Sequence, residues 1–317
     1  GLCWGDVGLF LAIPGSGLGH AAFNAVGTPE QREKYGQSYA AMCITEPGTG
    51  SDSANIATTA VADGDEWVLN GEKIYVTDGE RSDTLVVWAT LDKSLGKAAI
   101  KSFIVEKGTP GCEVVRLEHK MGIRASDTAA ITFTDCRIPR ENILGSAEVA
   151  ATAEARKKAF GGVMQTFDNT RPPVASMAIG TARAALDLTR EILAKEGVAL
   201  KFDKSPANLS ALEADLYRME AEWSAARLLV HKAAWMADNK MPNSREASMC
   251  KAKAGRMGNQ VTLRCVEMCQ SLGYSENALL EKFARDSKIL DIFEGTQQIQ
   301  QLIVARQVLG KSSSELK

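Results

Sequence analysis

The stretch Ala57-Thr58-Thr59-Ala60-Val61-Ala62-Asp63-Gly64-Asp65-Glu66-Trp67-Val68-Leu69-Asn70-Gly71-Glu72-Lys73-Ile74-Tyr75-Val76-Thr77 decides the fold class. A run rich in threonine and valine ends at Asp63-Gly64. A short apolar run over 66–69 ends at Asn70-Gly71, and 73–77 extends again. Asp-Gly and Asn-Gly between such runs are strong hairpin signals, because tight hairpin turns need positive φ at their centre. Downstream, residues 85–90, 102–106, 113–117 and 130–133 continue the pattern. Closely spaced strands with short turns predict a compact antiparallel sandwich or barrel.

Outward from this region the period changes on both sides. Residues 1–38 read as helical. Thr28-Pro29-Glu30-Gln31 is a helix start, with Thr28 as N-cap, Pro29 at the first position and Gln31 closing a capping box. Gly15-Ser16-Gly17-Leu18-Gly19 resembles a phosphate loop but follows no strand and lacks the dinucleotide spacing, so it reads as a close-packed or bent helix. Beyond 150, apolar residues recur at three- and four-residue spacing over 175–195, 209–239, 244–271 and 279–293, which predicts an antiparallel four-helix bundle. The expected fold is therefore α+β. N-terminal helices (1–38) precede a central antiparallel β domain (39–149) and a C-terminal helical bundle (150–317). Residues 311–317 read as a frayed tail.

At 317 residues, 45% hydrophobic and 24% charged, the chain can bury a substantial core. A net charge of -2 gives no electrostatic case for nucleic acid or an anionic membrane, and no apolar run is long enough to span a bilayer. The chain opens without a basic n-region or initiator Met, so no signal peptide is expected and the start reads as the middle of a protein. Seven scattered cysteines favour a reducing compartment: the cytoplasm, or the mitochondrial matrix in a eukaryote. Cys265 and Cys269, four apart, read as small core residues on one helix face rather than a redox pair. His20, His119 and His231 have no metal-ligand spacing, so no metal is expected.

Five blocks stand out. The first is Met42-Cys43-Ile44-Thr45-Glu46-Pro47-Gly48-Thr49-Gly50-Ser51-Asp52, whose backbone N–H groups and small hydroxyls can approach a phosphate or a heteroaromatic ring. Asn70 to Gly79 is the second and Met121-Gly122-Ile123-Arg124-Ala125-Ser126-Asp127-Thr128 the third. The fourth, Phe167-Asp168-Asn169-Thr170-Arg171-Pro172, reads as the head of a helix. The fifth is Ile292-Phe293-Glu294-Gly295-Thr296-Gln297-Gln298-Ile299-Gln300, between two helical runs.

In this order the blocks resemble the acyl-CoA dehydrogenase family over about residues 1–310. The resemblance implies FAD-dependent α,β-dehydrogenation of an acyl-CoA, with electrons passed to an electron-transfer flavoprotein. It also implies that much of the family's N-terminal helical domain is missing. Glu294 matches the catalytic base, which removes the α-proton while the β-hydrogen leaves as hydride to the flavin. A thioester α-proton is a poor acid, so such a base is expected to be weakly solvated with a raised pKa. The enolate oxygen then needs donors, among them the N–H of Glu294 itself.

Thr45 and Thr77 match threonines that bond the flavin ring, and Cys43 and Ile44 match its backbone contacts. Gly50 and Ser51 match pyrophosphate contacts. Tyr75 stands where a tryptophan usually covers one flavin face. Thr296 and Gln298 match residues reaching the flavin from the glutamate's turn. Asp168, Arg171, Gly295 and Arg306 match substrate positions, although for Asp168 and Arg171 a capping ion pair at a helix start is an equal reading.

Two departures concern the FAD adenosine end. Residues 194–205 lack the family's Arg-x-x-Phe-Gly, and Lys201 or Lys204 supplies charge without a bidentate fork. Gln270-Ser271-Leu272-Gly273-Tyr274 replaces a Gly-Gly-x-Gly-Tyr segment, with Ser271 at a cofactor position. An active homotetramer is the leading expectation. A subunit sharing FAD with a different chain, and a flavin-poor relative, are the alternatives.

Overall fold

The computed structural model describes residues 1–13, 18–149, 153–312 and 315, and for 153–167 it describes the backbone alone. The glycines at 15 and 17 therefore lie outside the described residues, as do four residues of the 311–317 tail. The chain forms two compact units. One comprises Gly1–Leu11, Met121–Ile123 and Phe167–Lys317; the other comprises Ala12–Lys120 and Arg124–Thr166.

Helices α1 (Leu2–Gly5) and α2 (Val7–Ala12) come first in the chain, followed in the second unit by α3 (Leu18–Val26) and α4 (Pro29–Tyr35). The capping box at Thr28 forms as read: Thr28 Oγ1 accepts from Gln31 N, and Gln31 Oε1 accepts from Thr28 N. A seven-stranded sheet follows, with β1 (Ala40–Cys43), β2 (Thr59–Asp63), β3 (Glu66–Thr77), β4 (Thr84–Thr90), β5 (Ile100–Glu106), β6 (Cys112–Leu117) and β7 (Thr128–Pro139). Its order is β1-β4-β2-β3-β7-β6, with β5 also on β4. Most neighbours are antiparallel, but β4 runs parallel to β1 and, at Thr59–Thr90, to β2. Strand β4 is buried along its whole length. Leu85, Val87 and Ala89 join one core with Trp67, Phe103 and Ile131, while Val86 joins another with Phe23 and Tyr35. Burial on both faces explains its unbroken apolar run.

Asp63-Gly64 does make a hairpin, with Gly64 at φ 57° and Asp63 paired to Glu66. Asn70-Gly71 does not. Strand β3 passes straight through it, and its pairing with β7 shifts register between Leu69 and Gly71. Asn70 accepts from Asp135 N and donates to the Asp135 carboxylate. A Cβ on Gly71, at φ 152°, would lie 2.7 Å from Thr58 Cα. The dipeptide marks a β-bulge and a close backbone approach, a second use of the same residue types.

The first unit is helical: α5 (Ala153–Lys195), which belongs to it from Phe167 on, α6 (Ala211–Asp238), α7 (Ser244–Met268), α8 (Gln270–Tyr274), α9 (Leu280–Ser287) and α10 (Gln297–Leu309). Its core joins Ala178, Ala182 and Leu186 of α5 to Leu216 and Met219 of α6, Met257 and Val261 of α7, and Phe283 of α9. Cys265 and Cys269 are buried in it as free thiols.

Three expected boundaries are corrected. The Asp168-Asn169-Thr170-Arg171-Pro172 block lies inside α5, not at a helix head. Pro172 and Pro173 read as a start because they lack the N–H groups that would bond the carbonyls of Asp168 and Asn169. The run expected over 279–293 is α9 followed by a 3₁₀ turn, Lys288–Asp291. The run over 244–271 ends at Met268, with Gln270 at φ 49° turning the chain into α8.

Candidate active site

The fifth block folds into a tight turn between the Lys288–Asp291 3₁₀ turn and α10. Glu294 (φ 57°) and Gly295 (φ 90°) are both left-handed. Such a conformation strains a side-chain-bearing residue, so its neighbours must hold it. Gln300, buried one turn into α10, donates from Nε2 to Glu294 O (3.0 Å) and Gly295 O (3.2 Å). Lys251 of α7 donates to Gly295 O at 2.7 Å. Glycine is favoured at 295 by its φ, and a Cβ there would lie 2.4 Å from Gln300 Nε2 and displace the amide that holds the turn. Thr296 caps α10, its Oγ1 accepting from Ile299 N.

The fourth block meets this turn across 124 residues of sequence, where Thr170 Oγ1 donates to Glu294 Oε2 at 2.8 Å. Asp168 and Arg171 form an i, i+3 ion pair at 2.5 Å, with Arg171 4% exposed. Arg171 Nη1 also reaches Ser248 Oγ, while its Nε is buried without a partner among the described residues. Residue 294 keeps some exposure, yet burial dominates its carboxyl. Burial pushes the pKa above the usual carboxylate range, against the Thr170 hydrogen bond and the charges of Arg171 and Lys251. The backbone N–H of Glu294 has no hydrogen-bond partner among the described residues. The site thus offers a basic carboxylate and a free donor on one residue.

In the second unit, the first block leaves β1 after Cys43 and turns back. Thr45 O accepts from Ile74 N at 2.8 Å, which sets Thr45 beside the strand carrying Tyr75 and Thr77. The turn is held by a pair the sequence reading passed over. Lys73 Nζ donates to Glu46 Oε1 (2.8 Å) and to Ile44 O (3.1 Å), with both side chains buried. Ala57 N, Thr58 N and Thr58 Oγ1 complete the donors on Glu46. Burial pushes the Glu46 carboxyl up, and these bonds more than offset it, leaving it below the usual range. Thr45 and Thr77 are half-buried, and neither hydroxyl has a hydrogen-bond partner among the described residues. Tyr75, at φ 56°, is 62% exposed. Gly50 and Ser51 are exposed, and nothing lies within 4 Å of where a Gly50 Cβ would be. Thr45, on a turn stiffened from behind, and Thr77 and Tyr75, on the strand bonded to that turn, supply two unpartnered hydroxyls and an exposed ring, group types that a flat heteroaromatic ligand can use.

Not every expected residue joins these groups. Gln298 points out on α10, and Arg306 lies nine residues, about 14 Å, along that helix from its start at Gln297. Ser271 is exposed on α8, behind a left-handed Gln270. Lys73, Lys251 and Gln300 escaped notice, yet two of them carried a signal. Lys73 keeps the inward phase of Trp67 and Leu69, and Lys251 sits on the small-residue stripe of Ala247, Ala254 and Gly258. A lysine on a buried phase needs a partner. Among the described residues no group of His, Cys, Asp or Glu could hold a metal ion, and no helix is long and apolar enough to cross a membrane.

Two family descriptions match the chain: the acyl-CoA dehydrogenase middle domain over residues 41–136, and the acyl-CoA dehydrogenase C-terminal domain over 160–309. The chain is 36% identical over 289 residues to the mitochondrial short-chain specific acyl-CoA dehydrogenase of Bos taurus, covering 89% of this chain and 67% of that one. It is 35% identical over 313 residues to the caffeyl-CoA reductase-Etf complex subunit CarC of Acetobacterium woodii, covering 97% and 79%. Among solved structures, butyryl-CoA dehydrogenase from Megasphaera elsdenii matches with a TM-score of 0.86 at 33% identity, over 97% of this chain and 79% of that one. With both domain descriptions matched and relatives aligned along most of its length, this chain belongs to the acyl-CoA dehydrogenase family.

Proposed function

We propose that the chain dehydrogenates an acyl-CoA thioester between its α and β carbons, with Glu294 as the base and FAD as the resident cofactor. The observation carrying this reading is the Glu294 carboxylate, bonded by Thr170 on a braced left-handed turn and raised in basicity by burial. The acyl-CoA dehydrogenase family are flavoproteins, and bound flavin supplies the acceptor for the hydrogen leaving the β-carbon. The residues of this chain do the rest. Glu294 takes the α-proton onto its carboxylate, and its backbone N–H donates to the thioester oxygen as negative charge builds there. Thr170 steers the carboxylate. Asp168 and Arg171 brace the wall beside it, and Gly295 lets substrate approach the backbone.

Cys43, Ile44, Thr45, Tyr75 and Thr77 would hold the ring system, with Gly50 and Ser51 toward the phosphates. Thr296 and Gln298 would approach from the turn of Glu294, with Ser271 toward the adenosine and Arg306 toward the CoA. Electrons would pass to an electron-transfer flavoprotein, the kind of protein named in the CarC complex. We take 1–38, 39–149 and 150–317 as the domain division, and a homotetramer as the assembly.

Two features favour a second reading, a subunit sharing FAD with an unlike chain. Gln270 takes a left-handed φ that glycine adopts without steric cost, and no arginine occurs over 194–205.

Anaerobic addition of butyryl-CoA and a panel of longer and branched acyl-CoAs to the purified protein should bleach a visible flavin band. Glu294→Gln should keep the flavin and slow bleaching by roughly 10²–10⁴-fold, the range of a lost general base. Bleaching at an undiminished rate in that variant would remove Glu294 from the role. A colourless protein that takes up no added FAD would favour the shared-cofactor reading.

A further inference from the structure

The buried titratable groups of the helical unit include one that the proposed chemistry does not use. Lys251 lies on α7 with 1% of its surface exposed, among Ala247, Ala254 and Gly255. A buried ammonium is costly unless paired, and its one hydrogen bond is to a neutral acceptor, the Gly295 carbonyl. That carbonyl belongs to the residue after Glu294, in a turn of two consecutive left-handed residues. Holding it fixes the peptide that follows the carboxylate-bearing residue.

The charges facing Glu294 come from two elements. Arg171 on α5 has its own carboxylate, Asp168, at 2.5 Å. Lys251 on α7 has no carboxylate within salt-bridge distance among the described residues, and it interacts at longer range with Asp291 and Glu294. Both charges act on Glu294, Arg171 more strongly, and each has a further carboxylate: Asp168 bonded to Arg171, and Asp291 at longer range from Lys251.

We propose that Lys251 is a positioning residue: its ammonium clamps the Gly295 carbonyl to hold the Glu294–Gly295 turn, and its charge keeps the buried Glu294 carboxylate ionisable. Consistent with this, burial pushes Lys251 down to about 8, opposed by Asp291 and Glu294 and reinforced by Arg171. The lysine endures that burial at a point where an uncharged residue would pack more cheaply, as it does in Ala254 one turn on. The role rests on the reading of Glu294 as the base, but the electrostatic coupling does not.

The test is an infrared pH titration of the protonated carboxyl stretch of Glu294, assigned by its loss in Glu294→Gln, on the purified holoprotein without substrate. Lys251→Met removes charge and donor, Lys251→Gln removes charge alone, and Lys251→Arg keeps both. Loss of a neighbouring positive charge stabilises the protonated acid. The midpoint should therefore rise by about 1 unit in the Met and Gln variants, the size expected of a nearby charge. It should stay near wild type in Lys251→Arg. The acidic limb of the bleaching rate should move by the same amount in Met and Gln, with the rate recovered at higher pH in Gln and less fully in Met. Unchanged midpoints in Lys251→Gln and Lys251→Met would overturn the proposal. So would an equal loss of rate at every pH in the Gln variant. If Lys251→Met fails to fold, the Gln and Arg variants carry the comparison. An undiminished rate in Glu294→Gln would instead remove the base assignment while leaving the titration interpretable.

Discussion

Burial places the folded-state pKa of Glu294 above its unfolded value, and that has a consequence for stability as well as for chemistry. Below the ordinary carboxylate pKa, about 4.3, the group is protonated in both states and costs nothing. As pH rises through the window above it, the unfolded chain gains ionisation that the folded chain gains only later, so stability falls. Glu294→Gln should therefore unfold a few degrees higher than wild type at pH 7.5, with the gain vanishing near pH 4. Thermal scans at the two pH values check this. An equal difference at both would mean that the charge is not the cause. A reactive carboxylate kept in a setting that disfavours it trades stability for activity.

At the scale of elements, the turn after β1 depends on one ion pair. Glu46 and Lys73 are both fully or nearly fully buried, and Glu46 also accepts from Ala57 and Thr58. Glu46→Gln leaves an ammonium buried without its counter-charge and should cost about 3–5 kcal/mol in denaturant unfolding. Glu46→Gln with Lys73→Met should recover part of that loss, and both variants should release flavin more readily. Because the folded pKa of Glu46 is depressed, the pair's contribution is present above the ordinary carboxylate range and lost as pH falls through the lowered value. Wild type should thus lose more stability on acidification than the double variant does, and equal losses would remove the pair from the account. Gly71→Ala, which forces a Cβ toward Thr58 in a φ region hostile to it, should cost about 1–3 kcal/mol by the same denaturant measurement.

At the scale of the whole molecule, the seven thiols are free, and six of them are buried. Cys112 alone is half-buried, and burial still pushes it up to about 12. A thiol reagent at pH 8 should therefore find at most one readily reacting group in the native protein and seven after denaturation. Rapid reaction of several would mean that the cores open easily.

The sequence by itself determined the order of helical, β and helical segments, since period, turn residues and the Thr28 capping box are local signals. It also singled out Glu294, because an ordered series of short blocks is a pattern in one dimension. It misread Asn70-Gly71 as a turn, because whether that dipeptide reverses a strand or bulges it depends on what pairs alongside, here β7 and Thr58. It misread the head of α5, because two prolines look alike at a helix start and within a helix. Only the tertiary structure decided what surrounds the carboxylate. Thr170 stands 124 residues from Glu294 and Lys251 44 residues from Gly295, and neither separation has a local signature. Burial, which sets the basicity of Glu294 and makes the charges of Lys73 and Lys251 costly, exists only once distant segments have packed together.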